Sequence, residues 1–208
     1  MKRPPAPSPH PLWLPPGTLV GEWRVLDCLG HGAHGLVFRA LRVGHEHEGP
    51  VALKLALFPW DPRFMREVAL LSLVLHPGVP RLRGHGFFKH PSGTTHPYLV
   101  MDWVGGLPLY DWARQSNPSS RQVLQLLAQL ARVLEATHAA CALHRDVKGE
   151  NVLVRRADGH ALLMDFGSSH YQGAARLTWQ APPPGTPAYR SPEAAVFWRR
   201  SVGEPHAC

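Results

Sequence analysis

The chain has 208 residues, 44% hydrophobic and 18% charged, a globular composition that excludes a fully disordered chain. Lys and Arg number 22 against 15 Asp and Glu, a net charge of +7 that suits polyanionic ligands without choosing among them. The cysteines, Cys28, Cys141 and Cys208, form an odd set with no CxxC pair. That argues against a disulfide framework and a structural zinc site, and it fits a reducing, cytoplasmic compartment. After Lys2 and Arg3, prolines at 4, 5, 7, 9, 11, 15 and 16 leave no apolar run for a signal peptide, and no stretch has the length of a membrane-spanning helix. Basic residues are scattered rather than patched, so nucleic acid is not an expected partner.

Residues 1–17 read as a proline-rich, extended leader. From Glu22 the pattern turns strand-like: Trp23, Val25 and Leu26 lead into glycines at 30, 32 and 35, and β-formers follow from Leu36 to Val43. Val51 to Leu57 reads as a buried strand, so the first third is a small antiparallel sheet. Asp61-Pro62 predicts a helix start, with the helix running to about Leu75. Further strands are expected near Leu82–Phe88 and Tyr98–Asp102. Ser119 to Gln122 has capping-box spacing and opens the strongest helix, to about His138. A hairpin follows, Val152–Val154 and Ala161–Met164, turning at Asp158-Gly159.

Four features carry chemistry. Gly30-x-Gly32-x-x-Gly35-x-Val37 lets backbone amides approach a phosphate chain. A strand follows these glycines, whereas a dinucleotide-binding fold requires a helix there; a plain structural turn is the other reading. Lys54 sits inside an apolar run, where a charge is costly unless paired. Glu67, mid-helix, is its expected partner, and a snorkelling lysine on an edge strand is the alternative. The third and fourth features are His144-Arg145-Asp146-Val147-Lys148-Gly149-Glu150-Asn151 and Asp165-Phe166-Gly167. Asn151 precedes the first hairpin strand and Asp165 follows the second, so antiparallel pairing brings an amide and a carboxylate to one edge. Such an oxygen pair suits Mg²⁺. Asp146 is placed to accept a proton from a hydroxyl, and Lys148 to neutralise charge on a transferring group.

In this order the motifs resemble the catalytic domain of the eukaryotic-type, bacterial-like serine/threonine protein kinases. The last of them is Gly185-Thr186-Pro187-Ala188-Tyr189-Arg190-Ser191-Pro192-Glu193, similar to the end of a kinase activation segment. The resemblance implies an α+β, bilobal protein kinase-like fold: a β-rich N-lobe and hinge over 18–104, then an incomplete helical C-lobe over 105–208. It implies ATP and Mg²⁺ as cofactors and a protein substrate with a Ser or Thr acceptor. By it, Gly30, Gly32, Gly35 and Val37 cover the ATP phosphates and Ala52 lines the adenine pocket. Met101 is the gatekeeper, followed by a hinge of Asp102, Trp103 and Val104. Lys54, paired to Glu67, holds the α- and β-phosphates; Asp146 and Lys148 serve catalysis; Asn151 and Asp165 hold metal. Arg145 marks regulation by activation-segment phosphorylation, with Thr178, Ser168 and Ser169 as candidate acceptors, and Thr186 supports the catalytic loop.

The sequence departs from the family pattern in places. His34 stands at the tip of the glycine loop, Gly149 stands where proline is frequent, and Ser191 replaces an alanine. The chain ends at Cys208, soon after Glu193, so a truncated C-lobe is expected. The apolar residues Val123, Leu124, Leu126, Leu127, Leu130, Val133 and Leu134 call for neighbours on more than one side of their helix. A partner covering that surface is therefore expected. The alternative function is a nucleotide-binding, pseudokinase-like scaffold or inactive fragment. The histidines of Gly44-His45-Glu46-His47-Glu48 form a metal-ligand pattern whose plainer reading is an exposed connection between strands.

Overall fold

A computed structural model describes residues 10–32, 35–172 and 185–192. The tip residues Ala33 and His34, the candidate acceptor Thr178, and Glu193 lie outside the described residues. The chain divides into two compact units, one formed by Met1–Asp61 with Arg83–Trp103, the other by Pro62–Leu82 with Val104–Cys208.

The first unit is built on a six-stranded sheet. Its strands are β1 (Leu19–Val20), β2 (Trp23–His31), β3 (Gly35–Arg42), β4 (Val51–Ala56), β5 (Leu82–Lys89) and β6 (Thr95–Asp102), in the order β1-β2-β3-β4-β6-β5. The alternation expected of half-buried strands is clearest in β5, at the sheet edge, where half-buried and exposed residues alternate along its length. Strand β4 is buried throughout and lies between β3 and β6, so Lys54 is in an interior strand and the edge-strand alternative is excluded. Trp23, Val25, Phe38, Leu53, Leu55 and Val100 form the core. The proline-rich stretch is anchored at its described end: Leu12 and Leu14 are buried in that core, and the Trp13 ring meets Phe38 edge-on at 6.3 Å.

The second unit is helical with short sheets. Helix α1 (Pro62–Leu73) begins at the expected Asp61-Pro62. Helix α3 (Ser120–Ala139) opens on the expected capping box, in which Ser119 accepts from the Gln122 amide and the Gln122 side chain accepts from the Ser119 amide at 2.8 Å. Between them α2 (Leu109–Ser116), unforeseen from the sequence, is a short helix ended by Asn117 at φ 43°. It has no side-chain cap, which is why no start signal advertised it. Strand β7 (Gly106–Pro108) pairs with β9 (Val152–Arg155), and β9 with β10 (Ala161–Leu163); β8 (Ala142–Leu143) pairs with β11 (His170–Tyr171). Helix α3 buries Leu126, Leu130, Val133 and Thr137, whereas Val123, Leu124 and Leu127 are exposed among the described residues.

The anchoring of residues 12–14 can be tested by truncating one side chain. Leu14 is 2% exposed, so Leu14→Ala should lower stability by about 2–4 kcal/mol in urea unfolding, the cost of a cavity in a packed core. A change within error of zero would show that this stretch is not part of the core.

Candidate active site

In the first unit the glycine motif occupies the end of the β2–β3 hairpin. Gly30 faces Val37 across the strands, and the Gly32 amide donates to the Gly35 carbonyl at 2.9 Å. The glycines serve different ends. A Cβ at Gly35 would lie 2.8 Å from the Leu55 carbonyl oxygen, so packing requires glycine there. At Gly30 and Gly32 a Cβ would meet open space among the described residues, and neither has a left-handed backbone. Nothing in the described fold demands glycine at those two positions. The β3–β4 register sets Lys54 opposite Val37, and the β4–β6 register sets Ala52 opposite Met101. Asp102 accepts from the Arg83 guanidinium, the neighbouring Trp103 ring carries Arg39 at 5.7 Å, and Val104 starts the second segment of the second unit.

The second unit brings the remaining motifs together. Hairpin β9–β10 does so as the sequence predicts: Leu163 faces Val152, and the Met164 amide donates to the Asn151 carbonyl at 2.7 Å. Asn151 and Asp165 therefore stand at one end of the hairpin. Asp165 adopts a left-handed conformation, φ 60° and ψ 73°, and opens a short 3-10 turn over Phe166–Ser168. Glu67, buried on α1, reaches the same turn: a Cβ at Gly167 would lie 3.4 Å from Asp165 Oδ1 and 3.6 Å from Glu67 Oε2.

Asp146 is the centre of the arrangement. Its Oδ1 accepts from both the amide and the hydroxyl of Thr186, each at 2.8 Å. Its Oδ2 accepts from Asn151 Nδ2 at 3.0 Å and faces Lys148 Nζ at 3.2 Å. Lys148 also donates to Thr186 Oγ1 at 2.7 Å. Burial opposes ionisation of this carboxyl, yet the bonds from Thr186 and Lys148 outweigh it and hold Asp146 below the usual carboxylate range. It is a carboxylate at neutral pH.

Thr186 can reach Asp146 only because of Gly185. That residue has φ 95°, and a Cβ on it would fall 2.4 Å from the Arg145 carbonyl oxygen. Gly149, where the family pattern favours proline, is occupied from outside: a Cβ there would lie 2.5 Å from the Tyr110 ring. The Tyr110 hydroxyl in turn bonds the Tyr189 hydroxyl at 2.8 Å, tying α2 to the segment after Thr186. Tyr189 enters the sequence reading only within the Gly185–Glu193 motif and Tyr110 not at all, because each acts through a partner far along the chain.

His144 locks this loop from below. Its Nδ1 accepts from the Asp146 amide at 3.3 Å, which leaves Nε2 to donate to the Met164 carbonyl at 3.0 Å. Phe166 packs edge-on against its ring at 4.7 Å. Both nitrogens are satisfied only by a neutral imidazole, and burial pushes its pKa below the usual value.

A group of cations sits near Ser169. Arg66 on α1 donates to the Ser169 carbonyl at 3.1 Å; burial, with repulsion from Arg63, lowers its pKa. Burial and repulsion from Arg66 do the same at Arg145. Arg66 escaped the sequence reading because a buried arginine next to Glu67 resembles an ordinary exposed helix residue. Ser169, an expected phosphate acceptor, is fully buried and its hydroxyl donates to the His144 carbonyl at 3.3 Å. It is therefore built into the loop support, not presented for modification.

The donor set fits a hard divalent cation. Asn151 Nδ2 is taken up by the Asp146 carbonyl and carboxylate, at 2.8 and 3.0 Å, which fixes the amide and turns its oxygen the other way. With the Asp165 carboxylate this makes an oxygen pair of the kind Mg²⁺ prefers.

Residues 23–204 match the protein kinase domain family. The chain is 37% identical, over 88% of its length, to serine/threonine-protein kinase pkn2 of Myxococcus xanthus, of which it covers 23%. It is 32% identical over 86% of its length to serine/threonine-protein kinase PknA of Mycobacterium tuberculosis, covering 42% of that protein. To serine/threonine-protein kinase PkaA of Streptomyces coelicolor it is 36% identical over 81% of its length, covering 34%. The chain thus spans less than half the length of these curated relatives.

The neutral His144 predicts a pH dependence. The unfolded chain binds a proton near pH 6.5 that the folded loop refuses, so stability is complete above that pH and declines as pH falls below it. His96, also buried with a lowered pKa, acts in the same direction. Urea midpoints measured between about pH 7.5 and about pH 5 should fall with acidification in the parent, and less steeply in His144→Asn. Parallel curves would remove His144 from this role.

Proposed function

Because the chain belongs to the protein kinase domain family, we propose that it transfers the γ-phosphoryl group of ATP to serine or threonine hydroxyls of proteins. The observation that carries this reading is the Asp146 carboxylate, held ionised by Thr186 and Lys148 and hydrogen-bonded by Asn151. A carboxylate so held accepts the proton of an incoming hydroxyl as its oxygen attacks the γ-phosphorus and ADP departs. Two of the three N–H donors of Lys148 engage Thr186 and Asp146, and its charge offsets that of the transferring group. This Lys148–Thr186 arrangement is the feature that supports Ser/Thr over Tyr acceptors.

In this reading the bare backbone at Gly30 and Gly32 covers the phosphates, Ala52 and Met101 border the adenine, and Lys54 binds the α- and β-phosphates. The family resemblance assigns Glu67 as counter-charge to Lys54; each is buried in its own unit. Asn151 and Asp165 would hold Mg²⁺, which when bound neutralises phosphate oxygens. Arg145, with Arg66 and Arg63, is suited to a phosphorylated residue of the activation segment, Thr178 being the candidate. No helix among the described residues is long and apolar enough to cross a membrane, and we assign the domain to the cytoplasm.

The test is transfer of γ-labelled phosphate from ATP-Mg²⁺ to the chain and to a basic protein. Asp146→Asn should lower incorporation by about 10²- to 10⁴-fold while ATP affinity stays near that of the parent. Label equal in parent and variant would refute the assignment. ATP binding by the parent without any transfer would favour a nucleotide-binding scaffold.

A further inference from the structure

We propose that the turn between β3 and β4 binds a divalent transition metal of the zinc class through His45, His47 and Glu48. One ligand atom from each residue, two imidazole nitrogens and a carboxylate oxygen, lies within 4.8 Å of the others. His45 Nδ1 and Glu48 Oε1 are already 3.6 Å apart, and the two imidazole rings lie 6.0 Å apart, tilted by 39°. Bonds of about 2.0–2.1 Å in a tetrahedron place ligand atoms about 3.3 Å from one another. One pair nearly meets that spacing, and small rotations of exposed side chains close the rest.

The backbone supports the convergence. Glu46–Glu48 form one 3-10 turn, in which residues three apart eclipse; that is why His45 and Glu48, three apart across its start, face each other. The His45 amide donates to Arg42, the Glu48 amide to His45 and the Gly49 amide to Glu46, at 3.0–3.1 Å. Gly44 and Gly49 flank the turn with φ 78° and 84°. The remaining acid, Glu46, braces the loop through the Gly44 amide at 3.2 Å. Arg42, which ends β3 just before the turn, is paired with Glu22 at 2.9 Å, so its charge is offset, and Arg24 on the adjacent strand acts on Glu46.

Two imidazoles and one carboxylate select zinc, nickel or copper over magnesium, which favours oxygen donors and sheds water reluctantly. Three protein ligands leave a fourth position to water. This reading is independent of phosphoryl transfer. The loop joins the strands that carry Val37 and Lys54, so a bound ion would brace that connection.

The test is calorimetric titration of the full, tag-free chain with Zn²⁺ in excess Mg²⁺, beside His45→Gln, His47→Gln and Glu48→Gln. The chain has 14 histidines, so the variants are needed to separate this turn from background sites. One saturable Zn²⁺ per chain is expected, with affinity reduced at least about tenfold in each variant, the smallest loss seen even for an outer-shell partner. Metal-free melting temperatures close to that of the parent would show that the variants are folded; any variant that melts early is set aside in favour of the other two. Equal isotherms in parent and variants, absence of saturable binding, or displacement by Mg²⁺ would overturn the proposal.

Discussion

A carboxylate withdrawn from water must replace the hydrogen bonds it loses, and at Asp146 this requirement organises the second unit. Thr186 supplies two donors, Asn151 and Lys148 one each. These residues come from three places: the loop after β8, the start of the β9–β10 hairpin, and the segment beyond Gly185. Satisfying one side chain therefore fixes the relative positions of all three. The donors from Thr186 and Lys148 also keep the carboxylate ionised, which is the state that proton acceptance needs.

The support beneath that carboxylate is equally economical. His144 receives the Asp146 amide on one nitrogen and gives a proton to Met164 with the other, so the loop is tied to the end of β10 by a single neutral ring. The Met164 amide is bonded to Asn151, which closes the circuit back to Asp146. Glycines enter where the chain must pass closest. Gly185 lies against the Arg145 carbonyl, and Gly149 makes room for the Tyr110 ring. At Gly149 the departure from the family pattern and the tyrosine that fills the space are one feature.

Much of this was legible beforehand because it rests on local rules. Helix starts at Asp61-Pro62 and Ser119 depend on capping and proline chemistry, and both helices form there. The hairpin that unites Asn151 with Asp165 depends on a turn and two short apolar runs. The helix α2 was missed because its starting residue, Pro108, offers no cap bond. The roles of Arg66, Tyr110 and Tyr189 were missed because their partners are distant in sequence: Arg66 meets Ser169, and the two tyrosines meet each other. The sequence also treated Gly30, Gly32 and Gly35 alike, whereas packing demands glycine at the last alone among the described residues.

The sequence by itself determined the antiparallel character of the first unit, the two long helices, the identity and order of the chemical groups, and the family. Periodicity, capping and motif spacing act within a few residues, so they are complete in the linear chain. Only the tertiary structure decided which groups share a hydrogen bond. It made Ser169 a buried support and not an exposed acceptor, placed Lys54 in an interior strand, and recruited Thr186 to Asp146. It also turned His45, His47 and Glu48 toward one another. Those outcomes depend on burial and on the direction of side chains relative to remote backbone, quantities that exist only once the chain has closed on itself.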